Sequence, residues 1–159
     1  MEGEWSHPGA GRHYESAVDG CSLGRIPMLD LEAARRAVKF AKSEAADWAA
    51  VDLDERRRRV SVCLDGLREQ RELIALLLIW EIGKPYAQAL TDIDRCISGV
   101  EWYVENIEAM VGRRQPLGLI SNIASWNYPM SVLMHAVLVQ VLAGNSVISK
   151  LPPMAACTP

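Results

Sequence analysis

From Gln115 to Ser149 the chain contains no Lys, Arg, Asp or Glu, and this run ends on Lys150, the last charged residue. Of 17 basic and 20 acidic side chains, every one except Lys150 precedes Gln115. So long an uncharged stretch must cross a membrane or be buried in a domain. The apolar helix it can form runs only from about Pro129 to Ala143, shorter than the roughly 20 residues a bilayer requires, and His135 and Gln140 interrupt it. Leu73 to Trp80 is shorter still. A soluble chain without a membrane partner is therefore expected.

Read as buried structure, the stretch divides into strand, polar turn, helix, turn and strand. The first strand falls within Leu117 to Ile123 and the second within Ser146 to Ser149. Short apolar runs rich in branched residues suit strands covered on both faces. Pro129 can open the helix, where its missing N–H would be unsatisfied anyway, and Gly144-Asn145 can end it. The segment reads as a βαβ unit with its crossover from Ala124 to Asn145, and the loop after its first strand lies at the carboxyl edge, where ligands usually bind.

At 159 residues, half of them hydrophobic, the chain can build one domain with a real core. A net charge of -3 gives no electrostatic reason to bind nucleic acid. The basic run Arg56 to Arg59 points in all directions on a helix and suits a solvated surface. Cys21, Cys63, Cys96 and Cys157 are scattered without metal-ligand spacing, so no metal is expected, and no signal-peptide pattern is present, which favours the cytoplasm.

The charged part reads as a loose leader over residues 1–22 and a helical part over 23–112, with 113–159 forming the βαβ unit. Asp30 can cap a helix with Leu31, Ala34, Val38, Ala41, Ala45 and Trp48 inward. Asp54 can cap a second, with Val60, Leu64 and Leu67 inward. Its continuation from Glu69 places Leu73, Leu76, Leu77 and Trp80 on one side and stops at Gly83. A fourth runs from Pro85 to Val111 with Ile93, Ile97, Val100, Val104, Ile107 and Val111 inward, closed by Gly112. Asp92 and Asp94 point apart on this helix, which argues against a shared acid-base site. His135 suits a buried histidine bonded to a neighbouring backbone group, without a role.

Three features in order then resemble the NAD(P)-dependent aldehyde dehydrogenases: Pro116-Leu117-Gly118 before a strand, Ser125-Trp126-Asn127-Tyr128-Pro129, and Ala143-Gly144-Asn145-Ser146-Val147-Ile148-Ser149-Lys150. Asn127 precedes Lys150 by 23 positions, and Glu81-Ile82-Gly83-Lys84-Pro85 stands where the family has a similar segment. The resemblance implies an α/β chain: amino-terminal helices followed by the first βαβ unit of a Rossmann-like dinucleotide-binding domain, incomplete at its end. It also implies oxidation of a small aldehyde to a carboxylic acid with NAD or NADP. Asn127 would donate to the oxyanion, a contribution on the order of 3 kcal/mol for such donors. Lys150 would reach the adenosine ribose, and Ala124, Ser125 and Trp126 would pass along the cofactor.

Some positions depart from that pattern. Many NAD-preferring relatives carry a glutamate three positions after the lysine, where this chain has Pro153, so a 2'-phosphate would meet no repulsion. Ser125 stands where proline is common. The segment between Met110 and Gln115 is too short for the strand hairpin through which relatives oligomerise, which argues against the usual dimer or tetramer. The family's catalytic cysteine and general-base glutamate would fall beyond the last residue, and Cys157 has no activating context. The expectation is a fragment without turnover of its own; the competing reading is a noncatalytic helical interaction module.

Overall fold

The computed structural model describes residues 11–123 and 125–156. An antiparallel hairpin, β1 (Arg12–Glu15) and β2 (Ser22–Ile26), precedes four helices: α1 (Leu31–Ala50), α2 (Leu53–Glu69), α3 (Arg71–Ile82) and α4 (Tyr86–Val111). Strand β3 (Leu119–Ile123) follows, then a π-helical turn (Pro129–Met134) running into α5 (His135–Leu142), then strand β4 (Ser146–Lys150). β3 and β4 pair in parallel, with Leu119 opposite Ser146 and Ile123 opposite Lys150. Helices followed by a βαβ unit are what the sequence leads one to expect.

Helix ends follow local chemistry. The Asp30 carboxylate caps α1 by accepting from the Ala33 N–H at 2.6 Å. α2 starts earlier than expected because Asp52, not Asp54, is its cap: Asp52 accepts from the Asp54 N–H at 2.8 Å, and Asp54 lies in the first turn facing Arg57. Gly83 closes α3 at φ 67, a left-handed conformation that costs glycine little.

α4 is the axis of the core. One buried cluster joins it to α3 and the π-turn through Ile74, Leu78, Ile93, Cys96, Ile97 and Met130. The other joins it to α2 and α5 through Val60, Leu64, Val100, Ile107, Leu138 and Leu142, and Leu67 and Met134 touch both. The inward faces of α2 and α4 are thus the expected ones.

α3 is turned the other way: Leu73, Leu76 and Trp80 are exposed, while Ile74, Ala75 and Leu78 are buried. This helix is apolar almost all round, so contact with α4 selects the face rather than periodicity. α1 differs in part: Leu31 and Val38 are exposed and Ala33 is buried, whereas Ala45 is buried as expected. Its small side chains lie toward the βαβ unit, where Trp48 Nε1 donates to the Val141 carbonyl at 2.9 Å and Ser146 Oγ to the Ala41 carbonyl at 2.9 Å.

The strands are half-covered rather than buried on both faces, because their sheet has only two members. β3 also begins later than the apolar run. Gly118 sits at φ 99 and gives its N–H to Asn145 Oδ1 at 3.0 Å, which leaves Leu117 84% exposed outside the ladder. The stretch up to residue 22, read as loose, contains β1 where it is described. Tyr14 is buried and its hydroxyl donates to the Met154 carbonyl at 2.6 Å, while Arg12 donates to the Pro153 carbonyl at 2.6 Å. Contacts this distant in sequence leave no local signal. Among the described residues no helix is long and apolar enough to cross a membrane.

Candidate functional site at the carboxyl edge of the sheet

Parallel pairing fixes where the uncharged stretch presents polar groups. Ile123 ends β3 beside Lys150, which ends β4, so the loop leaving β3 and the lysine occupy the same carboxyl edge. Ala124, expected at the cofactor, lies outside the described residues. Ser125, Trp126 and Asn127 follow in non-helical backbone, all exposed, and the helix begins at Pro129. The Lys150 ammonium is exposed and donates to the Leu151 carbonyl at 3.3 Å. An ammonium carries three donors, so it retains capacity for a ligand hydroxyl. The loop that carries Ser125, Trp126 and Asn127 thus follows the strand whose last residue lies beside Lys150, with no acidic side chain between Lys150 and Pro153.

Near this exposed loop stands a buried ion pair, between Lys84 and Asp92, that the reading of Asp92 and Asp94 as carboxylates pointing apart does not reveal. Asp92 is 1% exposed, and one of its oxygens accepts from Lys84 Nζ at 3.0 Å. The other accepts from the Ser131 N–H at 3.0 Å and from the Ser131 hydroxyl. Lys84 in turn places its ammonium 4.2 Å from the centre of the Tyr128 ring. Tyr128, the N-cap residue of the π-turn, makes no side-chain capping bond. Asp92 does this work from α4: Ser131 N–H is one of the donors a helix start leaves unpaired, and a carboxylate there also complements the helix dipole. One signal was available, because Asp92 falls on the stripe of α4 that includes Ala89, Ile93 and Cys96, all buried.

The other candidate groups lie elsewhere. A cavity of about 420 Å³, lined by Glu44, Trp48, Val141, Asn145 and Ser146, lies at the amino end of β4, away from Lys150. Another of about 430 Å³ sits between β1 and residues Pro153 and Met154. Cys96 is buried and its thiol is pushed up to about 12 by that burial, so it is no nucleophile. The Cys21 thiol is raised chiefly by its hydrogen bond to Asp19. His135 stands edge-on to Tyr103 at 5.7 Å rather than in the expected backbone bond, and its pKa is lowered by burial. Among the described residues no group of three or more His, Cys, Asp or Glu is placed to hold a metal ion.

An α/β chain with a polar loop and a lysine at one parallel sheet edge is the class this geometry defines. The model of the aldehyde dehydrogenase family matches residues 9–159. The chain is 30% identical to a non-phosphorylating aspartate-semialdehyde dehydrogenase of Halomonas elongata, over 94% of this chain and 34% of that protein. The fold superposes with a TM-score of 0.87 on an NADP-dependent glyceraldehyde-3-phosphate dehydrogenase from Bacillus halodurans, solved with NADP, at 23% identity, covering 99% of this chain and 37% of that one. It superposes with a TM-score of 0.85 on an NAD-dependent benzaldehyde dehydrogenase from Corynebacterium glutamicum, at 21% identity, covering 98% of this chain and 37% of that one. The chain belongs to the aldehyde dehydrogenase family, and it spans about a third of the length of these relatives.

Proposed function

We propose that these residues form the cofactor edge of an NAD(P)-dependent aldehyde dehydrogenase, with Lys150 and the Ser125 to Asn127 loop facing one dinucleotide. The observation that carries this reading is the parallel register, which sets the start of the loop beside Lys150. The exposed donors there suit the group: the Lys150 ammonium can donate to ribose hydroxyls, and Ser125 and Trp126 offer backbone along its path. A bound nicotinamide dinucleotide would supply the hydride acceptor for aldehyde oxidation. Asn127 would donate its side-chain amide to the substrate oxygen as negative charge develops there, and an uncharged donor on a fixed loop suits that task.

Either dinucleotide is compatible with this edge. Pro153 offers no carboxylate to accept from a ribose hydroxyl or to repel a 2'-phosphate. In this reading the 159 residues supply the cofactor edge and the amide donor, and turnover by them alone is not expected.

Trp126 lies in the loop and reports on it. Titrating NADP+ or NAD+ into the chain should give a saturable change in tryptophan emission that weakens at least about tenfold in Lys150→Ala, the loss of roughly 1.4 kcal/mol of charge-assisted hydrogen bonding. A flat titration with a folded chain would instead support an interaction module, for which the exposed Leu73, Leu76 and Trp80 of α3 speak.

A further inference from the structure

Asn127 can serve as an oxyanion donor only if its loop holds one position, since displacement by about 1 Å can cost on the order of 100-fold in rate. The loop itself contains little to hold it. Ser125 and Asn127 are exposed, and Trp126 and Tyr128 are 47% and 41% exposed. Restraint must come from its helical shoulder and from beneath. We propose that Lys84 and Asp92 are positioning residues for the Asn127 loop, Asp92 fastening the helix start at Ser131 and Lys84 holding the Tyr128 ring. This inference rests on the role given to Asn127 above.

The geometry favours positioning over simple cohesion. A buried ion pair is weak support for stability, and apolar side chains of similar volume often serve as well or better. Here α4 already packs on the π-turn through buried Ile93, Ile97 and Met130, so cohesion does not need charge. What charge adds is direction. One Asp92 oxygen takes Lys84 and the other takes both donors of Ser131. The opposite end of the relay lies 4.2 Å from the centre of the Tyr128 ring, next to Asn127. Asn127 is thus bracketed on its carboxyl side by two contacts that share one buried pair.

The test reads loop order in the full chain with no dinucleotide added, so its outcome does not depend on whether the chain binds one. The chain has five tryptophans, and 5-fluorotryptophan gives each a 19F line, with that of Trp126 identified by Trp126→Phe. In the parent the Trp126 line should be single and narrow. Ser131→Ala and Tyr128→Leu should each broaden it at least about twofold or split it through slow exchange, while the Trp48 and Trp102 lines keep their widths. Tyr128→Phe preserves the ring and should leave the line narrow. Lys84→Met should act like Tyr128→Leu, with Lys84→Arg closer to the parent; if Lys84→Met does not fold, the exposed Tyr128 pair decides. A narrow Trp126 line in both Ser131→Ala and Tyr128→Leu would overturn the proposal, as would equal broadening in Tyr128→Phe and Tyr128→Leu.

Discussion

Replacing Asn145 by alanine tests how the two strands are held in register. Asn145 is 4% exposed, and its side chain makes two bonds: Oδ1 accepts from the Gly118 N–H at 3.0 Å and Nδ2 donates to Gln140 Oε1 at 2.9 Å. The Ser146 N–H returns to the Gly118 carbonyl at 2.9 Å, so both backbone groups of Gly118 are tied to the start of β4. In Asn145→Ala the half-buried Gly118 N–H loses its acceptor, at a cost of about 1–3 kcal/mol, whereas the Gln140 amide can turn to water. A central value of about 2 kcal/mol corresponds to a fall of roughly 4–8 °C in Tm for a chain of this size. Thermal and urea melts at low micromolar concentration, followed by circular dichroism, read the change, and Gln140→Glu, which keeps an acceptor for Asn145 Nδ2, serves as the control with an expected loss below about 1 kcal/mol. If Asn145→Ala melts within about 0.5 kcal/mol of the parent, or loses no more than Gln140→Glu, the clamp does not exist.

Gly144→Ala should be more damaging. Glycine stands there at φ 92, and an added Cβ would lie 1.8 Å from Arg56 Nη1 and 2.8 Å from Pro116 Cγ, so a loss above about 2 kcal/mol and a shift toward insoluble material are expected on expression. The lowered pKa of His135 means the unfolded chain binds its proton first, so stability should fall as pH drops through the unfolded value near 6.5. His135→Gln should flatten that part of the curve, and an unchanged slope would count against the assignment. Cys96 should resist iodoacetamide in the folded chain at pH 8 while exposed Cys63 is alkylated, as read by peptide mass spectrometry.

What could be read from the residues followed how locally each element is determined. α4 carries one apolar stripe over many turns, and Gly112 ends it, so both its face and its end were legible. α3 was not, because Leu73, Ile74, Leu76, Leu77 and Leu78 offer apolar surface in every direction and only α4 chooses among them. α1 misled in part for the opposite reason: its covered face is built from alanines and Trp48, while Leu31, Val38 and Phe40 point outward. The site loop was legible because Pro129 cannot extend a helix backward and Asn127 and Ser125 favour turns. What supports it was not, since Asp92 meets Ser131 across 39 positions of chain, and a single inward carboxylate does not name its partner. The β1 contacts to Pro153 and Met154 are hidden in the same way.

Asn127 and Lys150 are proposed to face one nucleotide. The chain has four asparagines, Asn106, Asn122, Asn127 and Asn145, so selective 15N labelling gives four side-chain amide pairs to follow while NADP+ is added. The Asn127 amide should shift with saturation, Asn106 on α4 should stay fixed, and the Asn127 response should fade in Lys150→Ala. A fixed Asn127 together with a moving Asn145, which would place the nucleotide in the cavity beside Trp48 at the opposite end of β4, would contradict it.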